Sequence, residues 1–110
     1  MKGSHLGEFE ELVMLIVGFL FPDAYGLAVK NELIEQSGRK IAIGAVHAAL
    51  NRLEEKGFLI SKLADGTKKR GGRRKKLYEI TATGKKALET SRDLRNSIWD
   101  KIPELAWKQL

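Results

Sequence analysis

Two short runs of strand-forming residues, Phe58-Leu59-Ile60-Ser61-Lys62-Leu63 and Leu77-Tyr78-Glu79-Ile80, stand in the middle of a chain whose other apolar patterns are helical. They read as the two arms of a hairpin, but the link between them is much longer than the usual two-to-five-residue loop. It is also basic and glycine-rich: Asp65-Gly66-Thr67-Lys68-Lys69-Arg70-Gly71-Gly72-Arg73-Arg74-Lys75-Lys76. Eight of the chain's 20 Lys and Arg residues lie between Lys62 and Lys76, against one acid, Asp65. The remainder holds 12 basic and 13 acidic residues, so the formal charge of +6 is a local property. A same-sign block on a glycine-rich loop is suited to a polyanion. Nucleic acid is the leading partner, with an acidic membrane surface or acidic protein behind it.

The chain's 110 residues are enough for one domain with a single core, and a 43% hydrophobic content excludes wholesale disorder. Without cysteine there are no disulfides, thiolate metal sites or cysteine nucleophiles. Two distant histidines and no phosphate-cradling loop opening a helix leave nothing from which to assemble an active site. Gly71-Gly72 lies between strands, which also excludes a nucleotide-binding fingerprint. No enzyme activity, cofactor or metal is expected. The apolar run Phe9–Phe21 is too short to span a membrane, and no signal-peptide pattern surrounds it, so the expected location is cytoplasmic.

Phe9, Leu12, Val13, Ile16, Val17 and Leu20 follow helical spacing, while Met14, Leu15 and Phe19 add apolar surface off that stripe. Either part of this first helix meets another subunit or the whole helix is buried. Phe21-Pro22-Asp23 ends it, and Asp23 is placed to cap a second helix from about Ala24 to Gln36, with Leu27, Leu33 and Ile34 inward. Ser37-Gly38 closes that helix. A third is expected from Ile43 to Lys56, ended by Gly57, with Val46, Ala49, Leu50 and Leu53 as its inner stripe. Gly44, Ala48, Asn51, Arg52 and Glu55 then fall on the opposite side, with His47 on the flank. Thr81 is placed to cap a last helix from Ala82, in which Leu88, Ser91, Leu94, Ile98, Ile102 and Leu105 form a seam. Pro103 should end it near Lys101.

Helix, helix, helix, hairpin with a long basic loop, helix is the order of a winged helix-turn-helix: mainly α with a small β hairpin (α+β). Residues 1–81 would form the DNA-binding region and 82–110 a C-terminal dimerisation helix and tail, within one domain. The third helix would enter the major groove and the hairpin loop would follow the backbone or minor groove. The alternative is a winged-helix interaction module whose basic loop takes an acidic protein.

The sequence resembles the PadR family of bacterial transcription regulators. The resemblance rests on Tyr25-Gly26-Leu27, on Leu50-Asn51-Arg52-Leu53-Glu54-Glu55-Lys56-Gly57, on Gly71-Gly72-Arg73-Arg74-Lys75, and on Tyr78-Glu79-Ile80-Thr81-Ala82-Thr83-Gly84-Lys85-Lys86-Ala87-Leu88. It implies a homodimeric repressor on a palindromic operator in double-stranded DNA. Leu15, Phe19, Leu88, Leu94, Ile98 and Ile102 would fill the dimer interface; Trp99 would either fill that seam too or stack on an aromatic effector of the kind that releases some relatives from DNA. Family members usually carry a tyrosine where this chain has His47, which could hydrogen-bond to a phosphate instead, more strongly when protonated.

The expected DNA contacts are His47, Asn51 and Arg52 on the third helix and Lys68, Lys69, Arg70, Arg73, Arg74 and Lys75 on the wing. The segment Ile41–Ala45 offers no polar group for reading bases. Selection would then rest on Asn51 and Arg52, on small-residue contacts with thymine methyls, or on DNA shape.

Overall fold

Val46, Ala49, Leu50 and Leu53, the expected inner stripe of the third helix, are all fully buried, and the rest of the fold is arranged around them. The computed structural model describes residues 6–64 and 75–108. In chain order these form α1 (Glu8–Leu20), α2 (Gly26–Ser37), α3 (Ile43–Glu55), β1 (Leu59–Leu63), β2 (Lys76–Ile80), α4 (Ala82–Lys101) and α5 (Glu104–Trp107). The core joins Val13, Met14 and Val17 of α1 to Val29 and Leu33 of α2, to the α3 stripe, and to Phe58, Leu59 and Tyr78 of the hairpin. Each large side chain so buried is worth about 1.5–3 kcal/mol relative to exposure.

Glycines end two of the helices. Gly38 (φ 69°) sends its N–H to the Ile34 carbonyl at 2.9 Å, and Gly57 (φ 79°) turns the chain from α3 into β1. Both adopt the left-handed conformation that costs other residues energy.

The start of α2 departs from expectation. Asp23 makes no side-chain cap; the cap residue is Tyr25, and the helix begins at Gly26. The cause lies in the hairpin: the Ala24 carbonyl accepts the Tyr78 N–H at 2.9 Å, which holds Ala24 beside β2, ahead of the first helical turn. The inward face runs through Val29 and Leu33, one turn apart, while Leu27 lies off it and is 51% exposed.

The hairpin is antiparallel, with Leu59 opposite Ile80 and Leu63 opposite Lys76. Pairing continues as far as the Ala64 N–H and the Lys75 carbonyl, 2.8 Å apart. Thr81 then caps α4 as expected, its hydroxyl accepting from the Gly84 N–H at 3.0 Å and donating to the Gly57 carbonyl at 2.7 Å. Beyond Ser91, α4 leaves the body of the subunit, and every residue from Arg92 to Lys101 is exposed.

α4 enters the fold through a close approach that only glycine permits. A Cβ on Gly84 would lie 2.2 Å from the Phe58 carbonyl oxygen, a backbone atom that cannot swing aside. Gly84→Ala should therefore cost about 1–3 kcal/mol through overpacking. A urea denaturation midpoint equal to that of the wild type would show that α4 does not need this approach.

Candidate nucleic-acid interface

On α3, the four buried residues leave Gly44, Ala48, Asn51 and Glu55 on the outward face, and all four are exposed. His47 and Arg52 flank them on opposite sides. The two flanking residues are held very differently.

His47 lies against the first turn of α2. A Cβ on Gly26 would come within 2.4 Å of its Nε2, so the ring occupies the space that glycine leaves. Next to it, the Lys75 ammonium sits 4.1 Å from the centre of the Tyr25 ring, a cation–π contact. α3, the start of α2 and the returning arm of the hairpin thus meet around Tyr25, Gly26, His47 and Lys75.

Arg52 is tethered to α1. Its Nε donates to Glu10 Oε2 at 2.9 Å, while Lys56 Nζ donates to Glu10 Oε1 at 2.8 Å and the Gly7 N–H to the same oxygen at 3.3 Å. Glu10 is 7% exposed, and nothing in its local sequence singles it out. The Arg52 side chain remains 52% exposed and reaches solvent from a position that α1 fixes. Burial alone would raise the Glu10 pKa; the bonds from Lys56, Arg52 and Gly7 outweigh it, and the carboxyl ends below its ordinary value.

Glu54, the penultimate residue of α3, grips both strands of the hairpin. It accepts from the Ser61 hydroxyl of β1 and pairs with Lys76 of β2 at 3.3 Å. The Ser61 bond is the main cause of its lowered pKa, opposed by burial and reinforced by Lys76. Of Arg39 and Lys40, the two adjacent cations before α3, Arg39 is paired with Glu8, and Lys40 has no ion pair among the described residues.

Lys68, Lys69, Arg70, Arg73 and Arg74 lie outside the described residues. Of the expected seam, Leu94 and Ile98 are exposed, Ile102 is half-buried, and Leu88 packs on the subunit's own core. Leu15 and Phe19 of α1 are exposed too, Phe19 by 64%. A groove of about 540 Å³ runs between α1 and α4 over Leu12, Leu15 and Leu88, with Glu11 and Arg95 paired at 2.9 Å on its rim. Trp99 contacts Trp107 of α5, the ring centres 5.3 Å apart. Among the described residues no cluster could hold a metal, and no helix is long and apolar enough to cross a membrane.

Three helices, a hairpin and an exposed helix face at the hairpin's base make this a winged helix-turn-helix. The family model for the transcriptional regulator PadR-like family matches residues 16–90, and the chain belongs to that family of DNA-binding regulators, which are not enzymes. Among solved structures, a PadR family regulator from Clostridium difficile is 26% identical, with a TM-score of 0.68 over 86% of this chain and 93% of that one. Another, from Eggerthella lenta, is 26% identical, with a TM-score of 0.67 over 90% and 86%. A PadR-like regulator from Bacillus cereus, 18% identical, shares the fold at a TM-score of 0.70 over 89% and 90%. No curated protein matches the chain.

The Glu10 cluster makes the interface acid-sensitive. A carboxyl whose pKa is lowered on folding contributes its full stability above the ordinary value of 4.5 and loses it as pH falls through the folded-state value. Glu10→Gln should cost about 1–3 kcal/mol at neutral pH, the worth of a hydrogen-bonded charge. Wild-type and variant stabilities should converge in acid, where Glu10 is protonated in both states. Parallel stability curves down to the acid unfolding limit would contradict this.

Proposed function

We propose that the protein is a cytoplasmic homodimeric repressor that holds a palindromic operator with two copies of α3 and two basic wings. The observation that carries this reading is the meeting of α3, the start of α2 and the wing at Tyr25, Gly26, His47 and Lys75. A duplex laid along α3 there has cationic groups on its flank, and Glu54 fixes the hairpin that supplies them. Lys75 and His47 contact phosphate, the wing residues Lys68, Lys69, Arg70, Arg73 and Arg74 follow the backbone outward, and Asn51 reads base edges.

The dimer is supported by surface that one subunit leaves uncovered. The outer ten residues of α4 are exposed, yet Leu94 and Ile98 are among them; on α1, Leu15, which lines the α1–α4 groove, and Phe19 are exposed too. A second copy covers both faces and gives the two α3 helices the twofold arrangement a palindrome requires.

Arg73→Ala with Arg74→Ala should weaken binding to every duplex and reduce the slope of log affinity against log salt by about 0.9 for each phosphate that the variant no longer neutralises. Asn51→Ala should keep the salt slope and narrow the gap between operator and unrelated DNA. An unaltered slope in the double variant would remove the wing from the interface.

Sedimentation should find the wild type dimeric and Ile98→Asp or Leu94→Asp monomeric, because each places a carboxylate in an apolar seam. A wild-type monomer at micromolar concentration would overturn the twofold arrangement.

A further inference from the structure

We infer that α3 selects its operator through the 5-methyl group of a pyrimidine, packed against Ala48 with Ala45 beside it, at a close approach made possible by Gly44. The inference rests on the DNA-binding reading above and names the chemistry by which that surface discriminates.

From its N-terminus, the outward face of α3 presents Gly44, then Ala48, with Ala45 on one flank; all three are exposed. Ile43, on the other flank, is 37% exposed. The first outward side chain with a donor or acceptor is Asn51, two turns into the helix. His47 is turned to the flank against Gly26, and Arg52 is tethered to Glu10. The first two turns, where recognition helices make their base contacts, thus offer the groove only methyl groups and backbone. Of the groups on the major-groove edges of the base pairs, the C5 methyl of thymine is the apolar one, and alanine is suited to it.

Gly44 supports the same conclusion independently. A Cβ there would meet nothing within 4 Å, and its φ is ordinary. Gly84 and Gly26 are different, since their missing side chains make room for the Phe58 carbonyl and the His47 ring. Glycine weakens a helix relative to alanine, and nothing within the described residues uses the space at position 44. The use is external: without a side chain, the first turn can approach the base edges closely enough for Ala48 to touch a methyl. Glu55, at the other end of the same face, carries a charge that phosphates repel, so the N-terminal half of α3 is the part that inserts.

The test uses the full chain and duplexes it enriches from a random pool. Each thymine of an enriched half-site is replaced in turn by uracil, which removes the methyl and leaves both hydrogen-bonding edges intact. One or two positions per half-site should weaken binding by about fourfold, the worth of one buried methyl-sized group, with an unchanged salt slope. Ala48→Gly, verified as folded by circular dichroism, should bind thymine and uracil duplexes equally at one such position. Gly44→Ala should melt no lower than the wild type and bind the enriched duplex more weakly. Enrichment followed by equal affinity for every uracil duplex would overturn methyl reading while leaving DNA binding intact. Failure to enrich any sequence would overturn both.

Discussion

Three carboxylates at the start of α1 each hold a cation from a different part of the chain. Glu8 takes Arg39 from the turn before α3, Glu10 takes Arg52 and Lys56 from α3 itself, and Glu11 takes Arg95 from α4. Isolating a carboxylate at the exposure of Glu10 would cost several kcal/mol, and its three donors offset that. Such a cluster adds little net stability over a well-packed apolar one. What it adds is direction: the bonds specify how α3 is rotated about its axis, which burial of a narrow apolar stripe does only loosely. Because Glu10 and Glu11 are adjacent, α3 and α4 are fixed from the same turn of α1. In the proposed dimer, the distance between the two recognition helices is transmitted through that turn.

A second fixed point lies at the wing. A lone two-stranded hairpin is marginal in water, and this one is short. It is held on one side by Glu54, which engages both strands, and on the other by the Ala24 carbonyl bonded to Tyr78. The base is therefore anchored to α3 and to the segment that leads into α2. Lys75, at that base, is directed by the Tyr25 ring. Phosphate positions along a duplex vary with sequence, so an anchored base bearing a glycine-rich basic loop suits a partner whose spacing is not fixed in advance.

What the sequence made legible was local. Helix boundaries at Gly38, Gly57, Thr81 and Lys101 follow from glycine, a hydroxyl cap and proline acting within a few residues. The α3 stripe follows from periodicity, and the wing chemistry from charges adjacent in the chain. What stayed hidden depends on remote partners. Asp23 is a good cap by type, yet a strand far along the chain recruits Ala24 and moves the helix start past it. Leu27 is apolar, but it lies well round the helix from Leu33, whereas Val29 stands one turn before Leu33 on the same face. Glu10 reads as an ordinary first-turn acid; its partner Arg52 is 42 residues away, and no local pattern announces the pairing. The same pairing determines how Arg52, an expected DNA contact, is presented.

The small outward face of α3 changes how selectivity must arise. A helix rich in Arg and Asn gains discrimination from several bidentate base contacts, each worth about 1–3 kcal/mol. On the proposed reading, one asparagine and a few methyl groups would supply much less per half-site, while the wing would add affinity that every sequence shares. Affinity without discrimination is a liability for a regulator, because nonspecific sites far outnumber operators. Two half-sites read together add their free energies, so about tenfold discrimination in each becomes about a hundredfold in the pair. In the proposed dimer, so sparse a reading surface would make the partner subunit matter for specificity more than for grip. The apolar seam of α4 and the methyl-bearing face of α3 are two halves of one requirement.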